Sequence, residues 1–554
     1  MPETASAHVD TFARDHMPSP DELPEFLFDA PGLQFAPRLN ATAELLDRRI
    51  TLGDGPRPCL FGDGVAWSYA ALQERVDRIA HALVQDLELV PGNRVLLRGA
   101  NTPMLAACNL AVMKAGGIAV GSMPLLRARE LRTIIHKAQI SHSLCDIRLT
   151  GELDAAAADC PELRHRVAFD ADPSQAAPGS LGALAARHEG RPFSAVDTAA
   201  DDIALIAFTS GTTGVPKGTM HFHRELIAAC ACWPAHVLRA RSDDRFIGSP
   251  PLAFTFGLGG LLLFPLSIGA ATVLLEKMGP EQLLPAIARW QASVCFTAPT
   301  SYRAMGSAIA AQRAAGDAPD LGSLRKCVSA GEPLPAATRA LWHATTGIQI
   351  IDGIGSTELL HIFISADEAH ARGGATGVPV PGYVAAVLDD AGQPVPPGQV
   401  GHLAVKGPTG CKYLADERQR QYVQRGWNLT GDAYRVDPDG QFVYEARTDD
   451  MIVSGGYNIG GPEVEDALLL HPAVAECGVV GVPDAQRGQI VKAYVVLKPG
   501  HAVDDATTRV LQDFVKQTIA PYKYPRSIEY LAALPRTETG KLQRFRLRQG
   551  SGAA

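Results

Sequence analysis

The stretch TSGTTGVPKG, Thr209 to Gly218, puts three glycines, four hydroxyl side chains and one lysine into ten positions, with almost nothing apolar to bury. Glycines let a backbone approach an anion closely, and hydroxyls and an ammonium add donors, so the composition suits a phosphate cradle. It is not the common nucleotide-triphosphatase loop, which needs Gly-Lys-Ser/Thr. Here Pro216 precedes Lys217 and Gly218 follows it. No hydroxyl adjoins the lysine to hold a divalent cation, so a metal ligand must come from elsewhere. A flexible surface turn has the same composition, and the loop alone does not separate the two readings.

The elements around the loop are those such a cradle needs. The apolar run Ile203 to Phe208 precedes it and a helical stretch from Arg224 follows, so the loop is expected to join a buried strand to a helix. Upstream, Ser68 suits the cap of a helix whose Leu72, Val76, Ile79, Ala80 and Leu83 share one face, and the short run Val95 to Leu97 follows a polar turn. This alternation predicts a layered α/β core with parallel sheet. After about Val380 the texture changes to short alternating runs, Val384 to Leu388 and His402 to Val405, which is antiparallel β character. From about Asp449 a compact unit is expected, with a helix near Pro462 to Leu470, strands near Cys477 to Val482 and Lys492 to Leu497, and a helix near Thr507 to Ile519.

The chain has 554 residues, more than one ordinary core holds, and a formal net charge of -8. That charge argues against nucleic acid or an anionic membrane as partner. The N-terminal residues are polar and acidic, without a secretory-signal pattern, and the ten cysteines are scattered without metal or redox spacing. Both point to a cytoplasmic protein with reduced thiols. Phe246 to Leu275 carries no charge, but Pro250, Pro251 and Pro265 break it into pieces, so a buried loop, helix and strand are expected rather than a membrane span.

Five more motifs follow the loop in order: SAGEPLP (Ser329 to Pro335), GIGSTE (Gly353 to Glu358), WNLTGD (Trp427 to Asp432), ARTDDMIVSGGYNIGGPEVE (Ala446 to Glu465) and PRTETGKLQR (Pro535 to Arg544). With the loop, they resemble the adenylate-forming enzymes, the family of acyl- and aryl-CoA synthetases, luciferases and peptide-synthetase adenylation domains, over nearly the whole chain. The resemblance implies an α/β fold in two parts. A large N-terminal AMP-binding domain, residues 1–448, would hold layered α/β subdomains and a β-rich subdomain. A small mobile α+β domain, residues 449–554, would carry the adenylation lysine.

The resemblance also implies ATP, Mg2+ and CoA as cofactor and co-substrates, and a set of roles. Thr209, Ser210, Gly211, Thr212, Thr213, Gly214 and Lys217 would cradle phosphate. Ala330, Gly331 and Glu332, with Asp352, Gly353 and Ile354, would line the adenine side. Thr357 would contact phosphate and Glu358 would hold magnesium. Asp432 would accept both ribose hydroxyls, with Arg447 beside it. Lys541 would bridge the incoming carboxylate and the α-phosphate, Asp449 would be the hinge, and Ser454, Gly455, Gly456 and Tyr457 would swing toward the CoA thiol. Three positions depart from the family pattern: Ile354 stands for a tyrosine, Ala446 for a glycine, and Gly461 precedes Pro462 where proline usually comes one place earlier.

The acyl pocket is expected from Phe254, Thr255, Phe256, Gly331, Ile354, Leu359 and His361, an apolar and partly aromatic slot suited to a planar ring. Peptide-synthetase domains place an aspartate where Thr255 stands, so an acid with a charged α-amine is disfavoured. GIGSTELLHIF, GGYNIGGPEVE and AHVDTFARD most resemble the benzoate-CoA ligase branch, in particular 2-aminobenzoate-CoA ligases. His361 is a candidate to bond an ortho substituent; the alternative is a buried helix histidine bonded to backbone. The rival readings are a medium-chain acyl-CoA synthetase and an adenylation enzyme loading a carrier protein. The ending RLRQGSGAA, without an appended carrier domain, favours free CoA. A monomer or a homodimer fits equally.

Overall fold

Apolar runs bounded by turn residues make strands buried on both faces, and Arg94–Arg98 and Ile203–Thr209 are two of them. The structure, a computed structural model, describes residues 4–170, 177–209, 216–277, 279–317, 319–454, 457–484, 487–536 and 541–549. Among these residues the strands form four sheets. A six-stranded sheet runs His165–Phe169, His142–Asp146, Arg94–Arg98, Ile118–Ser122, Ile203–Thr209, Lys217–Phe222, parallel except for the last pair. A nine-stranded sheet has a parallel centre that includes Arg245–Gly248, Val294–Thr297, Lys326–Ser329 and Ile350–Gly355.

The helix Pro103–Lys114 lies between these two sheets, touching strands of both. Thr102 caps it by accepting from the Leu105 amide, Pro103 opens it, and every one of its residues is buried. Its last residue, Lys114, is sealed inside by Asp47 at 2.7 Å and Asp77 at 2.5 Å. Ser68 caps Tyr69–His81 as expected, accepting from the Ala71 amide at 3.2 Å. The uncharged stretch resolves into the strand Arg245–Gly248, a helical segment through Thr255–Leu258 and Phe264–Ile268 with a π-type turn at Gly259–Leu263, and the strand Ala271–Val273. No helix among the described residues is long and apolar enough to cross a membrane. All ten cysteines are free and buried.

The third sheet is antiparallel and holds Val384–Leu388, Gly401–Lys406, Trp427–Val436 and Phe442–Arg447. Beyond the turn Thr448–Asp450, the strands Ile452–Ser454, Val474–Asp484 and Gly488–Leu497 belong to a fourth sheet. Helices Gly461–Leu469 and Asp505–Thr518 join it around a core of its own, including Val464, Leu468, Val479, Val491, Leu511 and Val515.

One expectation needs correcting. The segment after the glycine-rich loop is a strand, Lys217–Phe222, and the helix His223–Ala231 starts only beyond it. Lys217–Phe222 pairs antiparallel with Ile203–Thr209 on one side. On its other side it bonds residues 412–414, Met220 amide to Lys412 carbonyl and Leu414 amide to Gly218 carbonyl, both at 2.8 Å. Tertiary pairing from a distant segment decides the strand, which local pattern does not record.

Candidate active site

The hairpin register sets Thr209 opposite Lys217, so the two ends of the phosphate loop are pinned side by side. Ser210, Gly211, Thr212, Thr213 and Gly214 lie outside the described residues. The Lys217 ammonium is 3.2 Å from the Tyr413 hydroxyl and 5.0 Å from the centre of its ring. The Tyr413 hydroxyl donates to Glu358 Oε1 at 2.5 Å. Tyr413 is buried, and burial, reinforced by the Glu358 charge, pushes its pKa far up, so it is a neutral donor.

Beside Tyr413, Lys412 and Glu225 form an ion pair with both side chains at 0 % exposure. The Lys412 ammonium donates to both Glu225 oxygens and to the Gly410 carbonyl, each at 2.8 Å. Glu225 also accepts from the amides of Phe222 at 2.7 Å and Gly410 at 3.0 Å. Every lone-pair direction and ammonium proton in reach is used, which is what a buried pair requires.

Thr357 and Glu358 sit on the turn that leaves Ile350–Gly355. His221 Nε2 donates to the Thr357 carbonyl at 2.8 Å, and burial holds that imidazole neutral with a pKa of about 4. Thr409 Oγ1 donates to the Leu359 carbonyl at 2.8 Å, and Leu360 takes φ +69°, a left-handed conformation costly for a leucine. The turn is therefore held from outside as well as by its own bonds, the Leu359 amide to Ser356 Oγ and the Leu360 amide to the Thr357 carbonyl, each at 3.2 Å. Glu358 is buried and makes no ion pair with a lysine or arginine among the described residues. A buried carboxylate with one oxygen on a phenol and no direct ion pair among the described residues suits a hard divalent ion, and Mg2+ takes one or two carboxylates together with substrate phosphates. Elsewhere among the described residues, His136, Cys160 and Glu162 bring their ligand atoms within 4.8 Å of one another, a group that does not include Glu358.

Asp432 and Arg447 face each other across paired strands, 3.3 Å apart, and Arg447 also donates to the Thr430 carbonyl at 3.0 Å. Asp352 lies in Ile350–Gly355, with Gly353 and Ile354 next along the strand. Burial raises its carboxyl to a pKa of about 7, against the opposing pull of Arg339 and of hydrogen bonds from Gly353 and Ser329. Ala330, Gly331 and Glu332 follow the strand Lys326–Ser329. The C-terminal lysine meets them: Lys541 Cε lies 3.7 Å from where a Cβ on Gly331 would stand. Arg536 is 3.6 Å from Glu332, whose carboxyl is pushed up by burial against the pull of Arg536 and Lys541. Asp449 is in the turn Thr448–Asp450, Ser454 is buried, and Tyr457 is exposed and stacked on Tyr522 at 4.4 Å; Gly455 and Gly456 lie outside the described residues.

In the predicted acyl region, Phe254 precedes the helical segment that holds Thr255 and Phe256, and Leu359 is fully buried. His361 is not on a helix; it precedes the strand Ile362–Ser365. Its ring centre is 4.5 Å from Phe264 and 5.6 Å from both Trp233 and Phe256. Burial lowers its pKa to about 3 against a backbone hydrogen bond to Phe256, so the imidazole is neutral. The histidine expected on a helix stands instead before a strand, in an aromatic box and beside the Phe256 backbone. Gly259 makes the room, since a Cβ there would stand 2.5 Å from His361 Cδ2. Sequence reasoning missed Tyr413, Trp233 and Phe264. The glycine pair Gly259–Gly260 inside a helical stretch was the available signal for close packing.

Two family models match the chain, the AMP-binding enzyme over residues 50–413 and the AMP-binding enzyme C-terminal domain over 463–541. The chain is 34% identical to the benzoate–CoA ligase of Thauera aromatica, over 94% of this chain and 97% of that one. It is 33% identical to the 4-hydroxybenzoate–CoA/benzoate–CoA ligase of Rhodopseudomonas palustris, over 92% and 94%. Among solved structures, the anthranilate CoA ligase AuaEII in complex with anthranoyl-AMP superposes with a TM-score of 0.87 at 33% identity, covering 94% of this chain and 99% of that one.

Proposed function

The chain belongs to the adenylate-forming AMP-binding enzymes, in their benzoate–CoA ligase branch, and from that premise we propose that it is an AMP-forming aryl-CoA ligase whose acid is 2-aminobenzoate or benzoate. In the first half-reaction a carboxylate oxygen of the acid attacks the α-phosphorus of ATP, and the bond to diphosphate breaks. In the second the CoA sulfur attacks the acyl carbon, the thiol proton is lost, and AMP leaves.

The observation that carries the reading is the approach of Lys541, from the far end of the chain, to Gly331 and Glu332. Lys541 Nζ would stabilise the charge that builds as two anions meet, a term worth orders of magnitude in a water-poor site. Lys217 and the Thr357 hydroxyl would bind phosphate oxygens, and the Asp432 carboxylate would accept the ribose hydroxyls, with Arg447 held ready by its strand pairing. Glu358 would hold Mg2+, which when bound offsets phosphate charge. For the second half-reaction Lys541 must withdraw, and we assign the pivot to Asp449, between residues 1–448 and 449–554. The separate core of the fourth sheet supports that division.

For the acid, support comes from the aromatic box and its neutral His361, which offers one acceptor nitrogen to an ortho amino group. An aromatic amine is uncharged near pH 7 and can be buried where an α-ammonium cannot. The test is a panel of acids with ATP, Mg2+ and CoA, following AMP and diphosphate. Benzoate and 2-aminobenzoate are expected to lead. Hexanoate or octanoate turning over far faster would overturn the aryl assignment, and exchange of diphosphate into ATP without thioester formation from free CoA would point to carrier loading.

A further inference from the structure

We infer that Tyr413 is the positioning residue of the phosphate side, a neutral spacer that holds Lys217 and Glu358 close together while keeping them from neutralising each other. The inference rests on the roles proposed above for Lys217 and Glu358.

A phenol has one proton to donate and lone pairs to accept with. Tyr413 uses both: it donates to Glu358 Oε1 at 2.5 Å and accepts from Lys217 Nζ at 3.2 Å. Lys217 also lies over the ring, 5.0 Å from its centre, so the ammonium is stabilised by the π face as well as by the oxygen. No ion pair joins Lys217 to Glu358 among the described residues. Without the phenol the two opposite charges, each already within reach of one oxygen atom, would close on each other. A direct pair would have to break before phosphate and a divalent ion could take its members.

The tyrosine is itself fixed on several sides. Its amide donates to Gln419 Oε1 at 2.9 Å, its backbone bridges to Thr219, and its ring meets the Tyr422 ring edge-on at 5.8 Å. The residue before it is the buried Lys412, locked onto Glu225. These contacts leave the hydroxyl little freedom, which is what a positioning group needs.

Tyr413→Phe removes one oxygen and keeps the ring. The experiment measures binding by calorimetry of α,β-methylene ATP with Mg2+, and of AMP, to the full-length wild type, Tyr413→Phe and Glu358→Gln, with melting temperatures alongside. We expect Tyr413→Phe to weaken the Mg2+-triphosphate analogue by about tenfold or more, and to shift the Mg2+ concentration needed for half-saturation upward. AMP affinity and conversion of presupplied acyl-adenylate to thioester should stay within about twofold, because neither uses the β- and γ-phosphates. Unchanged affinity for the analogue, with Glu358→Gln weakened, would overturn the spacer while leaving the metal reading intact. Parallel loss of AMP affinity would make Tyr413 a general structural residue and overturn it too. If Glu358→Gln itself left the Mg2+ dependence unchanged, the underlying role of Glu358 would fall, and the spacer with it.

Discussion

The two halves of the candidate site are held together by opposite means. On the phosphate side, Lys217, Tyr413 and Glu358 form a chain of hydrogen bonds backed by the Lys412–Glu225 pair at zero exposure. On the lysine side, Lys541 is exposed; Arg536 in its stretch meets Glu332 at 3.6 Å, and Arg303 donates to the carbonyl of Val474 in the fourth sheet at 3.5 Å. Charge sealed at zero exposure cannot be moved cheaply, whereas ion pairs that keep some contact with solvent are broken and remade at lower cost. The difference assigns permanence to the groups that bind nucleotide and exchangeability to the group that must come and go.

That contrast can be broken at its strongest point. Lys412→Met leaves Glu225 buried without its cation and should cost about 3–5 kcal/mol, read as a drop in the urea midpoint of the large part. Lys412→Met with Glu225→Leu should recover most of the loss. If the single variant were as stable as wild type, the claim that this pair anchors the phosphate side would fail.

Arg536→Gln probes the opposite side. It removes the contacts to Glu332 at 3.6 Å and Glu476 at 2.9 Å, and should slow adenylation by about two- to fivefold with no more than about 1 °C change in melting temperature. A large fall in stability would mean that the lysine side is as firmly built as the phosphate side.

The smallest effect concerns Asp352, whose carboxyl burial raises to about 7. Between the unfolded value near 4 and the folded one, folding takes up a proton, so stability declines as pH rises through that window and levels off above about 7. Asp352→Asn has no proton to lose, so its melting temperature should gain on wild type by about 2 °C between pH 5 and pH 8. A constant offset across that range would remove the argument.

Much of this contrast was legible in residue order, and the part that was not shares one cause. The phosphate loop is a contiguous string whose composition suits a cradle, and the Asp432 and Lys541 motifs are contiguous strings legible through their resemblance to the family. The helices at Tyr69–His81, Gly461–Leu469 and Asp505–Thr518 follow from caps and periodicity, and so does the antiparallel texture after Val380. Tyr413 stands in CKYLAD, where nothing periodic or compositional marks it, and its partners come from segments almost two hundred residues away and from the turn at Glu358. Strand Lys217–Phe222 was hidden for the same reason, since one of its edges is bonded by the distant residues 412–414. His361 could be named, but the box of Trp233, Phe264 and Phe256 that surrounds it exists only after folding.

The division of labour between a fixed and a movable half is tested most directly by Lys541→Ala in separated half-reactions. Diphosphate release from ATP and 2-aminobenzoate should fall by about 10²–10³-fold, while presupplied aminobenzoyl-adenylate and CoA should give thioester at close to the wild-type rate. Equal loss in both half-reactions would contradict it.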